Sequence, residues 1–226
     1  APTERSLQFS QVPVTRALLE LLEEYPTRSD GSAAMKLLSS PLANVDRLAL
    51  YRFLREHGDP AVGYEDQILA WLRNPPDKLA EELGAAANQV QTQLQRAGRI
   101  WSKRASAAVL SPQMGLWELW EAADVAEGWK TRALAGHADS ERADDRLDAV
   151  LALFRRADLW EQQQMLDPSS PPADGRTFAA EMLAQSVASD SIARAGARGP
   201  GVEILTVTQA AGRHWRGVYV TGLQDG

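Results

Sequence analysis

The chain contains no cysteine. Disulfides and thiolate-bound metals are therefore excluded, and the cytosol is the expected compartment. No apolar run approaches the roughly 20 residues that cross a bilayer as a helix. The opening residues, Ala1-Pro2-Thr3-Glu4-Arg5, lack the apolar stretch of a signal peptide. They also lack an initiator Met, which fits a processed or excised piece. Gly-x-x-x-x-Gly-Lys-Ser/Thr does not occur, nor does any Gly-Lys pair, so the chain has no phosphate loop. Nothing resembles the Asp-Glu pair that would hold magnesium for phosphoryl transfer. Gly-x-Ser-x-Gly is missing, and no Ser/His/Asp arrangement is suggested. His57, His137 and His214 stand far apart without ligand-spaced partners, which gives no zinc signature. Positive charge is not in excess: 24 Lys and Arg face 30 Asp and Glu, a net charge of -6. That argues against a protein that coats nucleic acid with its whole surface, and leaves room for a local basic patch.

What is present is a chain of 226 residues, long enough for one large domain or two small ones. Its seven tryptophans outnumber the four Phe and the four Tyr. Trp71, Trp101, Trp117, Trp120, Trp129 and Trp160 fall inside helical patterns, where they fill a core with the indole N–H partnered or at its rim. Stacking on bases by one or two exposed indoles is the other reading.

Ser6–Val12 alternates in polarity and reads as a short strand closed by Pro13. Pro13 suits a helix start, because its missing N–H costs nothing there. That helix carries Leu18, Leu19, Leu21 and Leu22 and stops before Pro26. Ser32 can cap a second helix with Ala34, Leu37 and Leu38 on its apolar stripe. Ser39-Ser40-Pro41-Leu42 breaks it. Asn44 or Asp46 can cap a third, with Leu48, Leu50, Tyr51 and Leu54 facing inward. Tyr64–Leu72 is a short helix, and a long helical stretch runs from about Lys78 to Ala108, weakened by Gly84 and Gly98. Further helices are expected after Ser111-Pro112, over Ala126–Leu134, over Asp144–Gln164 (Leu147, Val150, Leu151, Phe154 and Leu159) and over Thr177–Gln185. His137–Arg142 is polar. Ala193–Gly201 reads as a flexible linker. Val202–Val207 and Val218–Thr221 read as buried strands.

The expected fold is therefore mainly α with a small β element. Two or three β segments do not make a stable sheet unaided. Strands at both ends of a helical block are the pattern of a helical insertion in an α/β domain. The expected organisation is a strand and exit over 1–13, a helical subdomain over 14–195 and a return to the α/β domain over 202–226.

Val202–Gly226, VEILTVTQAAGRHWRGVYVTGLQDG, is similar to motif V of UvrD/Rep/RecB-type superfamily 1 DNA helicases. That motif runs strand, Thr-x-His-x-x-Lys-Gly-Leu-Glu-aromatic, strand, Gly-x-x-Glu-Gly. Here Thr206 ends the first strand, Gly212 occupies the glycine and Trp215 the aromatic. Val218-Tyr219-Val220 supplies the second strand, and Gly222–Gly226 the closing turn. More weakly, the helical block resembles the inserted 2B subdomain of that family. Pro13–Leu19 stands where the chain leaves subdomain 2A, Leu37–Leu42 looks like a leucine-rich "SPL" stretch, and Leu147–Phe154 like the helix before the return. Phe178–Gln185 looks like the last helix before motif V. The wording is nearest to helicase–nuclease subunits of the AdnA/AdnB sort.

The resemblance implies an incomplete RecA-like α/β domain flanking a 2B-like bundle, in a parent that is an ATP-dependent 3′-to-5′ helicase. ATP and magnesium would bind in the parent, and no cofactor is expected on this chain, which has no Walker motif. Single-stranded and duplex DNA, and a second helicase–nuclease subunit, are the implied partners. Thr206 and Thr208 fall at the end that approaches single-stranded DNA in the family, and Arg213 and Arg216 flank the same turn. Gly212 and His214 fall on the nucleotide side. His214 replaces the family's Glu, and an imidazole does not accept from a ribose hydroxyl as a carboxylate does. Thr208 stands at the family's His and Ala211 at its Lys.

One basic cluster lies apart from that motif. Arg96, Arg99 and Lys103 share a face by the i, i+3, i+7 rule, with Arg104 and Trp101 beside them. It reads as a solvated face or as a phosphate contact with duplex DNA. Asp144, Asp145 and Asp148 read as paired carboxylates or as the acidic start of a helix, where the dipole favours them. The rival to the helicase reading is a helical protein–protein interaction module with no catalysis of its own.

Overall fold

Pro13 does begin a helix. The computed structural model describes residues 8–23, 31–74, 85–136, 139–166 and 173–184. Among these the elements are nine helices and no strand: α1 (Pro13–Glu23), α2 (Gly31–Ser39), α3 (Arg47–His57), α4 (Tyr64–Arg73), α5 (Ala85–Val109), α6 (Pro112–Ala123), α7 (Ala126–Leu134), α8 (Ser140–Leu166) and α9 (Gly175–Ala184). The chain divides into two units, Ala1–Val187 and Ala188–Gly226, and every described residue belongs to the first. The strands read at Val202–Val207 and Val218–Thr221 lie outside the described residues. No helix among those described is long and apolar enough to cross a membrane.

The expected strand at Ser6–Val12 is corrected over its described part. Residues 8–12 form a turn, in which the Gln11 N–H donates to the Gln8 carbonyl at 2.9 Å. The buried Thr15 hydroxyl donates back to the Phe9 carbonyl at 2.6 Å. A strand would need a partner for these backbone groups, whereas the turn satisfies them locally.

α1 is the central helix. Its apolar residues nearly encircle it, with Val14, Leu18, Leu19, Leu21 and Leu22 all buried, and it packs against α2, α5, α6, α8 and α9. α5 and α6 form the most extensive helix pair. Ser32 is not a cap, since α2 already begins at Gly31. α8, expected from Asp144, already begins at Ser140, within the polar stretch His137–Arg142.

Three of the six described tryptophans (Trp101, Trp129 and Trp160) are buried, Trp71 and Trp120 are half-buried, and Trp117 is exposed. The core indoles meet other rings edge-on: Trp120 against Trp129 at 5.6 Å and Trp160 against Phe178 at 5.6 Å between centroids. Such edge-to-face pairs add to simple area burial.

The route into α3 is held by buried groups. The Ser40 hydroxyl donates to the Leu37 carbonyl at 2.7 Å, and Leu42 and Ala43 are fully buried. Asn44 takes a left-handed conformation, φ 55°, which Asn tolerates better than most residues. Its carbonyl accepts from Gln93 of α5 at 2.8 Å. Asp46 then caps α3, accepting from the Ala49 N–H at 2.7 Å.

Candidate nucleic-acid interface

The face of α3 differs from the expected one. Leu50 is buried, as expected, together with Phe53 and Leu54, but Leu48 and Tyr51 are 57% and 52% exposed. At 100° per residue, positions 50, 53 and 54 form one arc, and 48 and 51 fall on the opposite arc. Arg52 and Arg55 are exposed on that same outer arc, and Arg47, exposed in the first turn, stands at its edge. α3 thus turns three arginines, a tyrosine and a leucine outward, with Glu56 at the edge.

None of these arginines forms an ion pair among the described residues. The Arg47 Nε reaches the Ser39 hydroxyl at 3.3 Å. Tyr51 lies against Tyr64 of α4, centroids 5.9 Å apart and tilted by 42°. Burial raises the Tyr64 pKa, Arg47 opposes that shift and Tyr51 adds to it. Behind the helix, Phe53 meets Trp71 edge-on at 5.3 Å, and the His57 ring, tilted by 59°, lies 4.9 Å away. The signal for this face was in the sequence. Arg47 and Arg55 are two helical turns apart, Tyr51 lies midway, and Arg52 is beside it.

The cluster read from the sequence on α5 has a different character. Lys103 donates to Glu118 of α6 at 2.7 Å, and that hydrogen bond raises the Lys103 pKa. Arg104 stacks over Trp101, 3.7 Å from the ring centroid, and donates to the Trp101 carbonyl. Arg99 is exposed and lines an open groove of about 510 Å³ between α5 and α6. Three carboxylates, Glu118, Glu121 and Asp124, share that groove with Arg99 and Lys103. Arg96 is half-buried. Desolvation lowers its pKa, repulsion from Arg99 and Arg132 adds to this, and Asp124 opposes it. Its Nε is buried without a hydrogen-bond partner among the described residues. The four cations therefore lie close along α5, amid acids from α6 that the linear sequence does not place there.

Thr206, Thr208, Gly212, Arg213, His214 and Arg216 lie outside the described residues, and ATP and magnesium are expected in the parent rather than on this chain. His137 also lies outside them. Among the described residues no group of three or more His, Asp or Glu could hold a metal ion. Asp144, Asp145 and Asp148 stand in the second and third turns of α8, whose first turn carries Glu141 instead, so the expected acidic helix start is corrected to that residue. No family model matches the chain, and no curated protein matches its sequence.

A further apolar patch runs along the seam of α6 and α8. Trp117 meets Phe154 edge-on at 6.4 Å, and the Gln113 N–H donates to Glu161 at 2.7 Å, so the two helices run antiparallel there. Met114, Trp117 and Leu151 are exposed. Of the apolar stripe expected on α8, Val150 is buried and Leu147 and Phe154 are partly buried, but Leu151 and Leu159 are exposed, while Ala149, Leu153, Ala157 and Trp160 complete the buried face. These buried residues share one arc of the helix, and Leu151 and Leu159 fall on the other.

Proposed function

We propose that this chain is a piece of an ATP-dependent 3′-to-5′ DNA helicase or translocase, contributing a helical 2B-like subdomain and a motif V-like segment. A single observation carries the reading: the ordered string Val202–Gly226 follows a long helical block. Supporting it, the described block is built of helices alone, as an inserted bundle would be. In this reading the parent holds ATP and magnesium elsewhere, and the bundle guides or regulates at the junction of single-stranded and duplex DNA. The chain itself, with no phosphate loop, would not hydrolyse ATP.

The parent open reading frame is the test. A Gly-x-x-x-x-Gly-Lys-Ser/Thr segment is expected upstream of Ala1 and an arginine-bearing motif downstream of Gly226. A stop codon directly after Gly226 in a gene without a phosphate loop would sink the proposal.

The α6–α8 seam favours a second reading, a helical interaction module. An exposed Trp beside two other exposed apolar side chains is the composition of a protein-binding hot spot. Glu118 and Glu121 beside it make it a poor stack for a nucleic acid. If the patch is a surface, Trp117→Ala with Leu151→Ala should change urea-melting stability by only about 1 kcal/mol. A loss of several kcal/mol would show that these side chains belong to the core and would withdraw this reading.

A further inference from the structure

We propose that the outer face of α3, Arg47, Arg52 and Arg55 around Tyr51, is a binding site for the sugar–phosphate backbone of a nucleic acid. The chain as a whole is acidic, with a net charge of -6, so a face with three exposed arginines and one edge carboxylate stands out from its surroundings. On α5, by contrast, Lys103 is paired with Glu118, and three carboxylates share the groove beside Arg99. A polyanion approaching α5 meets those carboxylates, whereas on α3 it meets guanidinium groups with no ion pair among the described residues.

The geometry suits a phosphate chain. From Arg47 to Arg55 the helix advances about 12 Å, at 1.5 Å per residue. Measured along a duplex axis, on which each strand carries one phosphate per about 3.4 Å, that length corresponds to three to four phosphates. Tyr51 lies between the arginines with half its surface open, available to a sugar or a base. The helix is held rigid from behind by Leu50, Phe53 and Leu54, and at its start by the Asp46 cap. Binding therefore orders arginine side chains and leaves the backbone as it is.

An anionic membrane is the poorer fit. A helix that lies in a bilayer interface buries its own apolar face there, and the apolar face of α3 is already packed in the core. Leu48 and Tyr51 are the only apolar side chains on the outer arc. The site stands independently of the helicase reading, since phosphate contact needs no motor.

The test is fluorescence anisotropy with a labelled oligonucleotide of roughly 20 nucleotides, single-stranded and duplex in parallel. With three phosphates contacted, log K is expected to fall against log salt with a slope of about -2.7 on duplex and about -2.1 on a single strand. A rise from about 50 to 200 mM salt then weakens duplex binding about 40-fold. Arg52→Gln with Arg55→Gln should reduce that slope by about 2. Arg52→Lys with Arg55→Lys should retain it, which separates charge from fold. Arg99→Gln with Lys103→Gln should leave it unchanged. No binding by the wild-type chain would overturn the proposal, as would equal binding by the Arg52/Arg55 glutamine variant. A loss confined to the Arg99/Lys103 variant would place the site on α5 instead. Equal competition by polyglutamate would assign the face to an acidic peptide, and retention on phosphatidylserine vesicles without oligonucleotide binding would assign it to a membrane. Binding that behaves as expected in a parent gene lacking a phosphate loop would keep this site and remove the helicase reading.

Discussion

Gly115→Ala is expected to destabilise the chain by about 2–3 kcal/mol, the upper range for overpacking a core. In a unit of this size that lowers Tm by several degrees. Propensity alone argues the other way, since Ala in a helix interior is favoured over Gly by about 1 kcal/mol. The α5–α6 contact decides the sign. A Cβ on Gly115 would overlap the Ala107 carbonyl oxygen of α5 and come within 3.1 Å of Leu22 Cδ2 of α1. A carbonyl of the backbone cannot rotate away as a side-chain tip can, so α5 and α6 must separate. The same carbonyl lies 3.1 Å from where a Cβ on Gly175 of α9 would stand, and the Gly175 N–H donates to Leu110 at 2.7 Å. Four helices thus converge on one point, and widening one pair disturbs the rest. Gly128 of α7 provides the comparison. Its nearest neighbour would be the end of Arg132 at 3.6 Å, so Gly128→Ala should stabilise by up to about 1 kcal/mol. Thermal melting of the two variants should therefore move in opposite directions, and a Gly115→Ala protein melting at or above the parent temperature would refute the close crossing.

Local chemistry made much of the helical block legible. Pro13 and Pro112 mark helix starts because proline lacks only an N–H that would be unpaired there, and both stand at the first position of their helices. Asp46 caps α3 as a short carboxylate before an apolar run should. Ala126–Leu134 carries the bounds expected of it. The orientation of each helix was less legible wherever apolar residues exceed what the core can cover. α3 has Leu48, Leu50, Tyr51, Phe53 and Leu54, and the core takes only three. α8 has apolar residues on most of its circumference and buries one arc. Tertiary position decides such cases, and no periodicity in the sequence contains it. The turn at residues 8–12 shows the same limit, since alternating polarity suits a strand only if a neighbouring strand receives its backbone.

The candidate site followed that pattern. Arg96, Arg99 and Lys103 are a basic row in one dimension, and Lys103 acquires its partner from Glu118, fifteen residues on and in the next helix. Charge read along one helix omits whatever the adjacent helix brings. The α3 row stays basic because the neighbouring Asp46 is engaged as a cap and no ion pair reaches Arg52 or Arg55 among the described residues. The spacing of Arg47, Tyr51 and Arg55 was visible in the sequence, but taking Tyr51 as a core residue hid it. The motif V-like resemblance rests on residues 202–226, beyond the described block, so the helical block and that segment carry separate parts of the functional reading.

The second large effect concerns the joint between α8 and α9. Trp160→Ala is expected to cost about 3–5 kcal/mol, the usual range for emptying a buried aromatic site. Trp160 is 1% exposed, its ring meets Phe178 edge-on, and its Nε1–H donates to Glu181 at 2.6 Å. Apolar burial and a charge-assisted hydrogen bond therefore act through one side chain, and two variants separate them. Trp160→Phe keeps an aromatic ring beside Phe178 but removes the donor. Its expected cost is about 1–3 kcal/mol, since a bond to a carboxylate is stronger than a neutral one. Glu181→Gln keeps an acceptor without the charge and should cost less than Trp160→Phe. Coupling between Trp160→Phe and Glu181→Ala in a double-mutant cycle, about 1 kcal/mol or more, would identify the shared hydrogen bond. Amide exchange should localise the damage to α9, because Phe178, Ala179 and Met182 form its buried face. Additive costs in the cycle, with unchanged α9 protection in Trp160→Ala, would mean that α9 is held by its contacts with α1 and α6 rather than by this indole.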